Sequence, residues 1–462
     1  MNKVFIVCTT LIAFNLSLNA QEDKEEKELK YRRSSLHTMI IEDAKLPNAN
    51  LIKNSFVKIP LPDKYNDHSL NTRSFSIEKY KLTTEEKNAL DRKPESKSKS
   101  MGKNLAKTAA SNASGGLIDT TDTKYLPHEI AKYLKTNNVA KELVSKWYMR
   151  DNKGTFKMDL IKDRGMEDAS AEEIEIAQNS SLGNSQIKDA AEELLKTTFV
   201  VVTRYNYISK KEIYEAAQRA SAAAQSTGLV KVKKPEIKLT PEMQAIKDAA
   251  IKKLTEGYVI QTTSYLYQLV WNDTVQKYFD ENFMMSEQTF DINKKNHFDT
   301  TTYFKLTYVG DAKSTANVPI SLKTKRTNEE LISIATINAT DESIAKLQRA
   351  YPVFRVKLKL FKAGDIIAAK IGMKESLQAG DVYEVLKKEK GTWKRQGKIK
   401  VKKDMIWDNR VKLVGEDEPE DNIVIDDKDK TKKKEKPIYS YDYTTFKGSS
   451  KYRKSFMIRQ LN

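Results

Sequence analysis

A chain of 462 residues whose single cysteine is Cys8 excludes, beyond that position, disulfide scaffolds, cysteine-based zinc sites and cysteine nucleophiles. Its length predicts roughly two to four domains, and 31% charged against 39% hydrophobic residues predicts long solvated segments besides the cores. The 81 Lys and Arg against 63 Asp and Glu give a net charge of +18, which reads either as a match to an anionic partner or as ordinary lysine-rich surface.

Residues 1–20, MNKVFIVCTTLIAFNLSLNA, read as a secretory signal peptide. Lys3 supplies the positive start, the apolar stretch is too short to span a bilayer, and a small residue precedes Gln21. Val7 before Cys8 speaks against a lipoprotein anchor there. No later run approaches the ~18 apolar residues of a transmembrane helix. The expected location is the periplasm, the outer membrane or the cell surface. For an exported chain the anionic partner is a lipid headgroup, a lipopolysaccharide phosphate or an acidic glycan rather than nucleic acid.

Residues 21–90 read as an N-terminal arm with short strands. Leu36–Asp43, LHTMIIED, is the first candidate buried strand, and Asn54–Leu70, near Pro47, Pro60 and Pro62, reads as an extended loop. Residues 91–124, rich in Ser, Lys, Ala and Gly, have almost nothing to bury and read as a flexible linker.

An α+β repeat core is expected over 125–362. Ile130, Tyr133, Leu134, Val139, Leu143, Val144 and Trp147 recur at helical spacing, with a break near Asn137–Asn138. Phe156, Met158 and Leu160 alternate, so 154–165 reads as a strand. Ser170 three residues before Glu173 offers a capping box for another helix. Then one unit is written twice. KDAA at Lys188–Ala191 leads through a helical run into TTFVVVTRYNYI (Thr197–Ile208), and KDAA at Lys247–Ala250 leads into EGYVIQTTSYLYQL (Glu256–Leu269). Thr240 followed by Pro241 caps the second helix. Between the copies, 215–240 reads as a mobile insertion with an alanine-rich front and a Lys/Pro back.

A looser third unit is Asp341–Phe361, and Thr301–Gly310 reads as a further strand. Helix-then-strand units predict strands in one sheet with helices over one face; duplication and chance similarity both remain open. Residues 363–462 change texture to short strands and turns, the pattern of a small SH3-like all-β barrel. Val382, Val385, Trp393, Ile399 and Val401 are its core candidates, and 415–436 is a charged loop that cannot bury itself.

Little points to chemistry. None of His37, His68, His128 and His297 lies three or four residues from another. HEIAK at His128–Lys132 has lysine where a zinc protease needs its second histidine, and DTTDTK at Asp119–Lys124 lacks the turn glycine and final glutamate of a calcium loop. There is no phosphate-binding loop, dinucleotide fingerprint or nucleophile elbow, so neither cofactor nor metal is expected. Two carboxylates would suffice for a glycosidase, but Trp147, Trp271, Trp393 and Trp407 sit at core-like positions rather than as sugar platforms. Tyr205 and Tyr207, and Tyr265 and Tyr267, alternate, so each pair shares a strand face. Each could line a binding surface or fill the half-buried boundary of a sheet.

From Val139 to Val202 the chain carries WYMR (Trp147–Arg150), RGMEDAS (Arg164–Ser170), a small polar stretch (Ser180–Asn184) and AAEELLKTTFVVV. These resemble, in order, the W[FY]xR, RGxxDAS and AxEELxxxTFVxV pattern of a family of exported Bacteroidetes proteins. Asn184–Lys188 departs from it, being polar where an apolar helix start belongs. The resemblance implies an envelope location and supplies no catalytic residue. The function expected is therefore that of a non-enzymatic envelope scaffold or assembly partner. The alternatives are a binding module for anionic glycan or lipopolysaccharide and a polysaccharide hydrolase.

Overall fold

The computed structural model describes residues 34–43, 46, 48–62, 64–92, 124–165, 191–226, 240–255, 258–317, 327–389, 392–403, 405–410 and 442–461. The signal segment, the capping box at Ser170, positions 227–239 of the insertion, the charged loop and nearly all of the linker lie outside them.

The first sheet is mixed. It contains β1 (Ser35–Glu42), β2 (Asn66–Asp67), β3 (Ser74–Ser76), β4 (Thr198–Ser209), β5 (Tyr258–Leu269) and β6 (Leu306–Asn317), in the order β2-β1-β4-β5-β6 with β3 also on β1. β1 runs parallel to β4, pairing Leu36 with Phe199 and Ile40 with Thr203. β4–β5 and β5–β6 are antiparallel, with a bulge between Leu266 and Tyr267. The segment expected as an N-terminal arm thus places a strand inside the core sheet. Its Leu36 and the run Met39-Ile40-Ile41, with seven of its eight residues buried, suit a strand covered on both faces.

Helices α1 (Ala49–Val57), α2 (Thr84–Arg92), α3 (Leu126–Thr136), α4 (Val139–Trp147), α5 (Asp159–Gly165), α6 (Lys210–Ser226), α7 (Pro241–Thr255), α8 (Asp273–Asn282), α9 (Ile292–Thr300) and α10 (Asn328–Ala350) accompany this sheet. They cover both faces, not the one expected. Met39, Ile41, Val200 and Val202 pack on Ile130, Leu134 and Leu143 of α3 and α4. On the opposite side Ile40 and Ile260 meet Phe56 of α1 and Ala335 of α10, while Phe199 and Val201 meet Leu347 and Phe354. The reason lies in β4, where Phe199-Val-Val-Val leaves neither face polar.

Further expectations change: Asn54–Leu70, expected as an extended loop, holds the end of α1 (through Val57) and strand β2 (Asn66–Asp67). Residues 154–158 are irregular and 159–165 form α5, not a strand. Asp159 opens that helix while Lys162 and Arg164 close it, which suits the helix dipole, and Phe156 and Ile161 fall in one aromatic cluster with Phe279 and Phe298. The third unit is not equivalent to the first two. Its helix, α10, starts at a Thr327/Glu330 capping box and runs 23 residues. After a turn at Pro352–Phe354 the chain enters the second sheet, not the first.

That second sheet is antiparallel and consists of β7 (Leu358–Lys359), β8 (Ile367–Ala369), β9 (Val382–Glu389), β10 (Thr392–Val401), β11 (Thr444–Lys447) and β12 (Met457–Gln460), in the order β7-β12-β9-β10-β11-β8. A bridge between Lys362 and Ala368 nearly closes it into the expected small barrel. Val385, Ile399 and Val401 lie in its core with Tyr383, Phe446 and Ile458. Val382 is half-buried, and Trp393 packs outside that core against Leu386 and Met457.

The outer edge of β6 is blunted near its middle. The Tyr351 hydroxyl accepts from the Asp311 N–H and donates to the Asp311 carbonyl, both at 2.9 Å, so backbone groups that could recruit a foreign strand are satisfied. A methyl at Gly310 would overlap the Tyr351 ring, so glycine admits the plug.

Candidate functional site

The four tyrosines do not form an exposed surface: all are buried. Tyr205 and Tyr207 point toward α10, their hydroxyls bonded to Thr340 and Thr336. Those threonines donate to the carbonyls of Thr336 and Ile332 one turn back, each at 2.7 Å, so the tyrosines are the donors. Tyr265 and Tyr267 lie on the other face, and the Tyr267 hydroxyl donates to the Pro127 carbonyl at 2.6 Å. Antiparallel pairing of β4 with β5 sends the two pairs to opposite ends as well as opposite faces. They fasten α10 and α3 to the sheet.

The histidines divide similarly. His37 and His68 are buried, and His68 stacks on Trp147 at 4.7 Å and donates Nε2 to the Leu143 carbonyl at 2.9 Å. The Leu70 N–H donates to His37 Nδ1, so the neutral ring carries its proton on Nε2, which meets no acceptor among the described residues. Burial first, then nearby positive charge from Arg73, pushes His37 down to about 3. Burial takes His68 to about 4 against the pull of its carbonyl partner. His128 is exposed, and Glu129 accepts from the Leu82 N–H instead of serving a metal. Among the described residues no three His, Cys, Asp or Glu side chains converge on a metal position. Trp147 and Trp271 are buried, while Trp393 and Trp407 are half-buried.

A polar junction joins the sheet to the barrel. Lys64 Nζ donates to Gln348 Oε1 at 2.8 Å, and Arg349 pairs with Asp381 at 2.9 Å. Arg355 ties the end of α10 to the last barrel strand through the Gln348 carbonyl at 3.0 Å and the Leu461 carbonyl at 2.5 Å. Lys64, Gln348, Arg355, Glu375, Tyr383 and Gln460 help to line a cavity of about 20 Å³ here, room for one water-sized molecule and no substrate. Burial holds Lys64 down at about 8, and burial pushes Asp341 up to about 7. Among the described residues Asp341 Oδ1 has no hydrogen-bond partner. The junction is structural in size and wiring.

Exposed features lie elsewhere. Between β4 and β5 the chain makes α6 and α7, which contact one another. Residues Met243–Ala250 of α7 are all exposed, Met243 at 48% and Ile246 at 70%. The outer face of the barrel carries Lys398, Lys400 and Lys447, all exposed, with Lys400 directly opposite Lys447 across two strands. Sequence reasoning singled out neither feature, although GKIKVKK (Gly397–Lys403) already alternates lysine with apolar residues.

No family model, curated protein or solved structure matches the chain.

Proposed function

We propose that this chain is an exported, non-enzymatic scaffold or assembly partner of the cell envelope, and that the α6–α7 arm is where it meets a partner protein. One observation carries the reading: the exposed Met243 and Ile246 on an arm of 17 and 15 helical residues. Helices of this length are marginal alone and draw most of their stability from packing an apolar face. A partner helix or groove would complete the packing that α7 lacks among the described residues. The signal-like N-terminus and the resemblance to exported Bacteroidetes proteins support the compartment.

The test is a pull-down from gently solubilised envelopes with the full chain and with a Met243→Asp, Ile246→Asp variant, washed at high salt. The reading expects a stoichiometric protein retained by the parent and lost from the variant, with circular dichroism and melting unchanged. Equal retention by both, or none by the parent, contradicts it. A second reading, binding of an anionic glycan or lipopolysaccharide, is favoured by the opposed lysines of the barrel.

A further inference from the structure

We infer that the outer face of β10 and β11, continued by the loop to β12, is a docking surface for an acidic polysaccharide. This rests on the second reading above and names its surface and its ligand class. Lys398, Lys400, Lys447, Lys451, Arg453 and Lys454 are all exposed there. Residues 392–403 hold six Lys and Arg and no Asp or Glu.

The register makes this more than excess surface lysine. Lys400 and Lys447 are direct cross-strand partners, a placement in which like charges destabilise the sheet. The carboxylate opposite Lys398, Glu384, is already bound to Arg459 at 2.7 Å. Asp381, whose carbonyl accepts from the Val401 N–H at the end of β10, is bound to Arg349 through its side chain. A sheet that sets ammonium against ammonium and, among the described residues, commits the nearby carboxylates Glu384 and Asp381 elsewhere leaves positive potential for an external anion.

The shape of the patch selects among anions. Its charges are strung along a strand, across to the next and on into the following loop, rather than converging on one point. Such a track suits a linear polymer bearing a charge at intervals, taking several weak contacts in succession. Lysine presents a compact, strongly hydrated point charge, not a planar fork. Recognition is therefore electrostatic and tolerant of the exact anionic group, and it should fade with salt.

The experiment uses the full chain, polygalacturonate and heparin as carboxylated and sulfated probes, and duplex DNA and lipopolysaccharide vesicles as competitors. The parent is expected to bind both glycans at low ionic strength and lose them as salt rises. Changing Lys398, Lys400 and Lys447 together to Gln is expected to weaken binding about tenfold or more without lowering the melting temperature, whereas changing all three to Arg retains it. If the parent binds neither glycan, the second reading itself fails. If it binds but the Gln variant binds equally, only this surface is wrong. Duplex DNA or lipopolysaccharide vesicles binding more tightly than both glycans overturns the assignment to polysaccharide.

Discussion

The strands of the central sheet and those of the barrel both alternate, yet alternation means opposite things in the two places. In β4 and β5 Tyr205 and Tyr207, and Tyr265 and Tyr267, sit two positions apart, and helices press on both faces, so all four tyrosines are buried. In β10 every other residue from Gly397 is apolar, and the residues between are exposed lysines. Period two shows which side chains share a face. It does not show whether that face is covered, which depends on elements far away in sequence. Tyr205 needs Thr340 of α10, 135 positions on.

Breaking the covered side should give the largest effect. Tyr205→Ala removes a buried ring packed edge-on against Phe56 at 6.2 Å and its bond to α10, and is expected to cost about 3–5 kcal/mol in urea unfolding. Retention of any partner by the protein that stays folded should be unchanged. Loss of binding with intact stability would return the tyrosines to the surface.

The next effect separates buried charge from exposed charge by pH. Burial raises Asp341 to about 7, so its favourable contribution is present in acid and is lost as pH rises through 7. Asp341→Asn should change stability little near pH 4 and raise it by on the order of a few kcal/mol above pH 7. The two buried histidines act in the other direction. Their folded values near 3 and 4 lie below the ordinary 6.5, so the stability they support is present above that value and is lost as pH falls toward 4. Unfolding curves at pH 4, 6 and 8 check both signs; an Asn variant no more stable than the parent at pH 8 contradicts the buried carboxylate.

The smallest effect belongs to the exposed face. Lys447→Glu places an opposite charge beside Lys400 and should raise stability by about 0.2–1 kcal/mol while weakening polyanion binding. A fall in melting temperature would show that the lysine pair is not a strained one.

Much of the architecture was legible. The α+β class, the helices at 126–147, the two long strands and the barrel with its Val385, Ile399 and Val401 core follow from periodicity. What periodicity misread was short or ambiguous. Phe156, Met158 and Leu160 alternate over too few residues to outvote the helix at 159–165. Asp341–Phe361 is helix then strand, but Pro352 turns the chain out of one sheet into another. The junction of Lys64 with Gln348 spans 284 positions and leaves no local trace. The candidate surfaces were half legible: GKIKVKK shows an alternating lysine face, but only the register sets Lys400 against Lys447. The exposure of α7 was hidden because its KDAA stretch, in mid-helix, matches the one leading into a helical run whose residues Ala191, Leu194 and Leu195 are buried.

The claim that the tyrosine-rich sheet is structural and that binding lies on the arm is tested most directly by lysine-directed cross-linking of a retained envelope protein to the full chain. The account predicts cross-links at Lys211 and Lys247, both exposed on α6 and α7. Cross-links confined to Lys132 and Lys141 on α3 and α4, with none on the arm, would contradict it and make the helical cover of the tyrosine sheet the functional face.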